Sequence, residues 1–207
     1  MQSAETPPQR PRAVGRGDKM RAAVLAATLT ELTLSGYAGL TVEGVAQRAG
    51  VHKTTIYRNW KDSDSLVADA LTGHFATEVP IPDTGAVESD LRELARSLVT
   101  SMTSEAGRAL LATALAEAGR TPKLAAVKEA VFDDRFRRAR IVVTRAVDRG
   151  ELPAGTDPTE LLKTLVAPIY FRLVFTGDPV DGSTADQAVR VALAAAHARA
   201  LPPPEPA

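Results

Sequence analysis

The sequence predicts an all-α chain, on three observations. Apolar residues recur at helical spacing from about residue 19 to residue 200, with no sustained two-residue alternation of the kind a half-buried strand shows. Aromatic residues make up only 4%, so the core rests on Ala, Leu and Val, the first two of which favour helices. Gly and Pro fall mainly between the periodic stretches, where helices stop and start.

The elements follow in order. Residues 1–18 are rich in Pro, Arg, Gly and Gln and have almost nothing to bury, so they read as a disordered basic arm. A first helix is expected from Lys19 to Ser35, on Ala22, Leu25, Leu29 and Leu32, with Gly36 as its stop. Thr41 caps a short second helix, Val42 to Ala49, which Gly50 ends, and a third covers Lys53 to Trp60. A fourth, capped by Asp62 or Ser63, runs to about Ala76. Pro80 and Pro82 then mark a boundary, giving a first unit over 19–78 and a second over 86–201.

In the second unit, helices are expected near 88–102 and 105–118. Thr121-Pro122, a cap followed by Pro at the first helical position, opens a helix of about 122–149. Asp157-Pro158-Thr159-Glu160 has the form of a capping box and opens a helix of about 158–176, within which Pro168 should produce a kink. The last helix is expected over 184–200, starting among Ser183 to Asp186, and 202–207 form a stiff Pro-rich tail. The total is about nine helices.

Formal net charge is zero, with 25 basic and 25 acidic residues. The distribution is uneven: residues 1–61 hold nine Lys/Arg against four Asp/Glu, and the acidic excess lies in the rest. A basic head on an acidic body is a sign of an anionic partner for the head. There is no cysteine, so neither a disulfide framework nor a thiolate metal site is expected. His52, His74 and His197 lack metal-ligand spacing, and no nucleophile elbow or phosphate loop is present, which argues against an enzyme. No cofactor is expected. No apolar run approaches the ~20 residues of a membrane span, and the arginine-bearing N-terminus lacks the apolar stretch of a secretory signal, so a cytoplasmic location is expected.

Thr41 to Trp60, TVEGVAQRAGVHKTTIYRNW, is the informative stretch. Two short helices meeting at a sharp turn need a small residue at their crossing, here Ala46, and a turn residue tolerant of positive φ, here Gly50. They also need apolar inner faces, which Val42, Val45, Ala49, Val51 and Ile56 supply. An ordinary corner in a helical bundle meets the same requirements. The third helix goes further. With Ile56 and Trp60 turned inward, about 100° per residue puts Thr54 and Arg58 on the far side, flanked by Thr55 and Tyr57, with Lys53 at the start. Arg reads guanine in bidentate fashion and Thr meets a base edge or a thymine methyl. Tyr and Lys hold phosphates. The candidate DNA-contacting residues are Thr41, His52, Lys53, Thr54, Thr55, Tyr57, Arg58 and Lys61.

These residues resemble the DNA-binding head of the tetracycline-repressor (TetR) family. The similarity lies in Gly36-Tyr37, Leu40-Thr41-Val42, Val45-Ala46, Ala49-Gly50-Val51, Lys53 to Arg58, Trp60 and Leu66. His52 stands where the family usually has a capping Ser or Thr, Asn59 where a basic residue or His is common, and Ser63 where many members have Lys or Arg. Lys61 is placed to substitute for that last residue. ALLATALAEAGR, RAVDRGELPAG and DPTELLKTLVAPIYFRLVFTG are similar to one branch of the family's C-terminal domains.

The resemblance implies a homodimer through the last two helices. The residues agree: 158–176 is apolar nearly all round, and the last helix has an Ala-rich face, although a monomeric core would use the same residues. It also implies a small-molecule effector, largely apolar, in a cavity of the second unit. Candidate lining residues are Met102, Leu115, Phe132, Phe136, Tyr170 and Phe171, any of which core packing would equally explain. Arg172, a lone charge in the apolar run, is either a rim residue or a partner for an acidic ligand. The expected function is a repressor released from a palindromic operator by its effector. An activator and a ligand-independent DNA-binding protein are the alternatives. The arginines of the arm, Arg10, Arg12 and Arg16, suit an adjacent minor groove, or are simply solvated.

Overall fold

Helix follows helix through the computed structural model, which describes residues 15–75 and 81–202 and contains no strand among them. Arg10, Arg12, residues 76–80 at the expected boundary, and residues 203–207 of the tail lie outside the described residues.

The head is built from α1 (Arg16–Gly39), α2 (Val42–Ala49), α3 (Lys53–Asn59) and α4 (Ser63–Phe75). α1 begins three residues before Lys19, and its helical path breaks at Gly36, where φ is 66° and ψ 179°. α2 has the expected bounds, with the Thr41 hydroxyl accepting from the Gly44 amide at 3.1 Å. α4 is capped by Asp62, whose Oδ1 accepts from the Ser65 amide at 2.8 Å.

The body comprises α5 (Val87–Thr103), α6 (Glu105–Ala118), α7 (Pro122–Asp148), α8 (Pro158–Phe171), a π-helical turn over Arg172–Thr176, and α9 (Gly182–His197). The α5–α6 corner is tight. Ser104 Oγ donates to the Ser101 carbonyl at 2.8 Å and accepts from the Gly107 amide at 2.9 Å. A Cβ on residue 107 would stand 1.9 Å from the Ser101 carbonyl oxygen, so only glycine fits.

Three local expectations are corrected. Thr121 precedes α7, but its hydroxyl makes no capping bond; its carbonyl accepts from the Leu124 and Ala125 amides at 3.0 and 3.1 Å instead. At α8 half of the box forms: Asp157 Oδ1 accepts from the Thr159 and Glu160 amides at 2.7 and 2.9 Å, while Glu160 turns to the Lys163 ammonium at 2.7 Å. Pro168, where a kink is expected, lies inside α8, which is assigned as one helix from Pro158 to Phe171. The change of winding comes one turn later, in the π-turn, closed by Gly177 N–H donating to the Arg172 carbonyl at 2.9 Å. The last helix starts at Gly182 because Asp181 caps it, accepting from the amides of Ser183 and Thr184 at 2.9 and 3.2 Å.

Three apolar clusters hold the molecule. The head cluster gathers Val24, Ala27, Val45, Ala46, Ile56, Trp60 and Leu66. The body cluster runs along α5, α7, α8 and α9, through Leu91, Val99, Val142, Leu161, Leu165, Ile169, Ala188 and Ala192 among others. The third lies between the two: Leu32 of α1 and Val67 and Leu71 of α4 pack on Leu110 of α6 and Leu124 of α7. Burial of such side chains stabilises by about 1.5–3 kcal/mol each, so head and body are joined by a core rather than by a linker.

Candidate nucleic-acid interface and ligand cavity

The recognition element is positioned by a turn that its sequence makes unavoidable. Gly50 adopts φ 67° and ψ 33°, the left-handed region in which a side chain is strained. Its amide donates to the Gln47 carbonyl at 3.2 Å, and the Val51 amide donates to the Ala46 carbonyl at 3.0 Å. This hydrogen-bonded turn ends α2 and redirects the chain into α3. At the head of α3 the His52 carbonyl, not its ring, accepts from the Thr55 amide at 2.9 Å.

α3 has two unlike faces. Ile56 and Trp60 are 1% and 5% exposed, whereas Lys53, Thr54, Tyr57 and Arg58 are exposed and Thr55 is half-buried. His52 and Lys61 flank the helix at its two ends, and Thr41 lies at the start of α2, all three exposed. The eight candidate contact residues are therefore gathered on α3, at its ends and at the N-terminus of α2. Lys53 is the least available of the cations: its ammonium lies 3.4 Å from Glu43 Oε1. Glu43 is held below the usual carboxylate range by a backbone hydrogen bond first and by Lys53 second. Asn59 is folded back on its own helix, its amide donating to the Thr55 carbonyl at 2.7 Å.

Sequence reasoning missed what orients this face. Trp60 Nε1 donates to Asp69 Oδ2 at 2.8 Å, and Arg21 reaches both oxygens of the same carboxylate at 2.6 Å. Asp69 of α4 thus holds the end of α3 and the start of α1 together. No local spacing signals it, since the partners are nine and 48 residues away. Arg48 of α2 pairs with Glu31 of α1 at 2.7 Å in the same way.

At the other end of α4, Asp62 accepts from Lys123 of α7 at 2.8 and 2.9 Å and from the Ser65 hydroxyl and amide. The Lys123 ammonium, then the two Ser65 bonds, hold its carboxyl well below the ordinary range. This contact ties the residue that caps α4 to the body.

The body holds two adjoining cavities. The larger, about 130 Å³, is lined by Phe132, Phe136 and Tyr170 together with Leu94, Leu98, Leu162 and Val166. The smaller, about 30 Å³, is lined by Met102, Leu115, Phe132 and Tyr170 among others. Phe132 lies 5.6 Å from Tyr170 and 6.3 Å from Phe136, centroid to centroid. Five of the six residues expected around a ligand thus line one or both cavities. Phe171 does not: it is 56% exposed and stacks on Phe175 at 5.6 Å, one turn further along the same outer face. The apolar run of α8 hid which of its aromatics point inward. Arg172, beyond the end of α8, lines neither cavity. The polar residues of the walls escaped notice altogether. Chief among them is Arg135, which lines both cavities and hydrogen-bonds the Tyr170 hydroxyl. Burial pushes the Tyr170 phenol upward, with Arg135 opposing, so the phenol keeps its proton at neutral pH.

Comparison with known proteins agrees with this arrangement over both halves. Residues 24–70 match the family described as bacterial regulatory proteins, tetR family. Residues 81–192 match the tetracyclin repressor-like C-terminal domain. The chain is 32% identical over 182 residues to the HTH-type transcriptional regulator AqdR of Rhodococcus erythropolis, spanning 88% of this chain and 87% of that one. It is 30% identical over 176 residues to the DNA-binding transcriptional repressor TetR of Mycobacteroides abscessus, spanning 81% and 88%. The crystal structure of the TetR family transcription regulator SCO0332 superposes with a TM-score of 0.69 at 29% identity, over 85% of this chain and 97% of that one. No helix among the described residues is long and apolar enough to cross a membrane. With a buried-and-exposed recognition helix behind a left-handed glycine turn, and both halves matched, the chain belongs to the TetR family of helix-turn-helix, DNA-binding transcriptional regulators.

Proposed function

We propose that the protein is a homodimeric repressor that occupies a palindromic operator and leaves it when a largely apolar small molecule enters the body. The observation that carries this reading is the division of α3, with Ile56 and Trp60 locked in the head core and Thr54, Tyr57 and Arg58 presented outward. Arg58 and Thr54 are the base readers. Tyr57, Lys61 and Lys53 hold phosphates, the last by exchanging Glu43 for DNA, and Thr41, His52 and Thr55 flank the groove.

Dimerisation is supported by an uncovered apolar strip on the last elements: Phe171, Val174 and Phe175, with Val191 on α9. A second copy laid against it removes that strip from water. Two heads then meet successive major grooves ~34 Å apart. The sign of regulation is supported by the Mycobacteroides abscessus relative, which carries the name repressor. Ligand control is supported by the junction between α4 and the body, since a shift of α7 at Lys123 moves the residue that caps α4. Linkage requires that operator binding weaken effector binding by the same factor.

Light scattering at micromolar concentration, followed by selection from a random duplex pool, tests the reading. A dimer that selects an inverted repeat with half-sites about one helical turn apart is expected. A monomer, or a selected site lacking two-fold symmetry, overturns it.

A further inference from the structure

Two hydroxyls on the α5 side of the larger cavity have no protein partner. Ser97 and Ser101 both line it, half-buried, and they stand four residues apart, so they share one face of α5. Neither hydroxyl has a hydrogen-bond partner among the described residues. At the α5–α6 corner it is the Ser101 carbonyl, not the hydroxyl, that accepts from Ser104. Threonines of the same helices behave differently: Thr103 of α5, Thr113 of α6 and Thr164 of α8 each donate to the carbonyl four residues back, at 2.8, 2.9 and 2.8 Å. The charged side chains of the cavity are already engaged. Asp134 Oδ2 meets Arg138 at 2.7 Å and Oδ1 meets Arg137, while Arg135 hydrogen-bonds the Tyr170 hydroxyl. The rest of the lining is aliphatic and aromatic.

We propose that the effector is an uncharged carbonyl compound: a ketone, ester or amide on an aromatic or short aliphatic body, its oxygen accepting from Ser97 and Ser101. This rests on the reading of the body as the effector-binding half. A carbonyl oxygen offers two lone pairs and each serine one proton, so the pair of hydroxyls saturates one such oxygen. The remainder of the ligand then lies against Leu94, Leu98, Phe132 and Tyr170, a lining that suits a flat ring. The cavity, at about 130 Å³, is close to the size that takes up a single benzene ring, and it is open on one side, so a longer body extends toward the mouth. A hydrocarbon of the same shape shuts the two hydroxyls off from water and gives them nothing in return. A carboxylate meets the same two donors, but it sheds the hydration of a full charge for neutral hydrogen bonds, with no uncommitted cation in the lining to answer it. Few polar groups at defined positions in an apolar cavity fix a ligand's orientation, and here they lie on α5 alone, opposite the aromatic residues of α7 and α8.

Calorimetric titration of the full chain with three matched probes decides the matter: acetophenone, ethylbenzene and benzoate, with acetonaphthone, ethylnaphthalene and naphthoate as the larger body. The ketone is expected to bind about tenfold more tightly than the hydrocarbon, and the acid more weakly than the ketone by at least about as much. Ser97→Ala and Ser101→Ala should each cost the ketone about threefold. The double variant should bring ketone and hydrocarbon to within about twofold of each other without weakening the hydrocarbon. Equal affinity of the wild-type protein for ketone and hydrocarbon, or an acid that binds more tightly than the ketone, overturns the proposal while leaving the body as an effector site. A ketone preference that survives the double variant overturns the assignment to these serines. Failure of every probe in both series overturns the proposal and that site together. Should the double variant not fold, the two single variants and the order of the three probes on the wild-type protein still decide.

Discussion

Cutting Arg58 to alanine removes an exposed side chain that no described residue pairs with, so it should leave the fold as it was and the specificity damaged. A bidentate arginine–guanine contact discriminates by ~1–3 kcal/mol, which corresponds to roughly ten- to hundredfold in specific affinity. Arg58→Ala should lose that much and relax one base pair in each half-site. Ile56, two residues earlier and 1% exposed, behaves oppositely. Ile56→Ala empties core volume, costs ~2–5 kcal/mol, and should remove binding by unfolding the head. Melting temperature and operator selection measured on both variants separate the cases. An early melt of Arg58→Ala, or undiminished selectivity, would show that the helix is turned otherwise. Lys61→Ala gives a third pattern: weaker binding to all sequences alike and a salt slope smaller by about one. The orientation of these residues was legible in the sequence because it follows from 3.6-residue periodicity about two large apolar anchors. The clasp of Trp60 and Arg21 on Asp69 was not, because it joins three helices through side chains far apart in the chain.

Helix ends show where local chemistry suffices and where it does not. The bounds of α2 and α6 match the expected ones, and Pro122 and Pro158 open α7 and α8 at the expected residues. Each is announced by groups within a few residues. The π-turn at Arg172–Thr176 was not, since its winding follows from bonds made beyond Pro168 rather than from a propensity. The inward or outward facing of Phe171 depended in turn on which neighbours α8 has, and an all-round apolar helix carries no such information. The α5–α6 corner supplies the prediction at this scale. Gly107→Ala drives a methyl into the Ser101 carbonyl, backbone that has no rotamer to yield. Overpacking of this kind costs about 1–3 kcal/mol, or roughly 2–12 °C in Tm for a chain of this length. Thermal unfolding checks it, and a Tm equal to that of the wild-type protein would mean the corner opens at no cost.

Across the whole molecule, the contact of Asp62 with Lys123 couples the cap of α4 to the start of α7. Because the folded carboxyl is held below its ordinary value of 3.8, its contribution is present above that pH and is lost as acid protonates it. Acidification from about pH 5 to about pH 3 should therefore lower the urea midpoint more in the wild-type protein than in Lys123→Met. Equal falls in the two proteins would show that the contact does not couple them. The cluster of Leu32, Val67 and Leu71 with Leu110 and Leu124 has a consequence for anyone who treats the family as interchangeable modules. A head excised near residue 75 loses the leucines of α6 and α7 that cover α1 and α4, and it presents an oily face to water. Grafting this head onto another regulator's body requires transplanting both leucines with it. The seam at which such a chimera should be cut lies beyond Leu110 of α6 and Leu124 at the start of α7, not where the prolines mark a change in the character of the sequence.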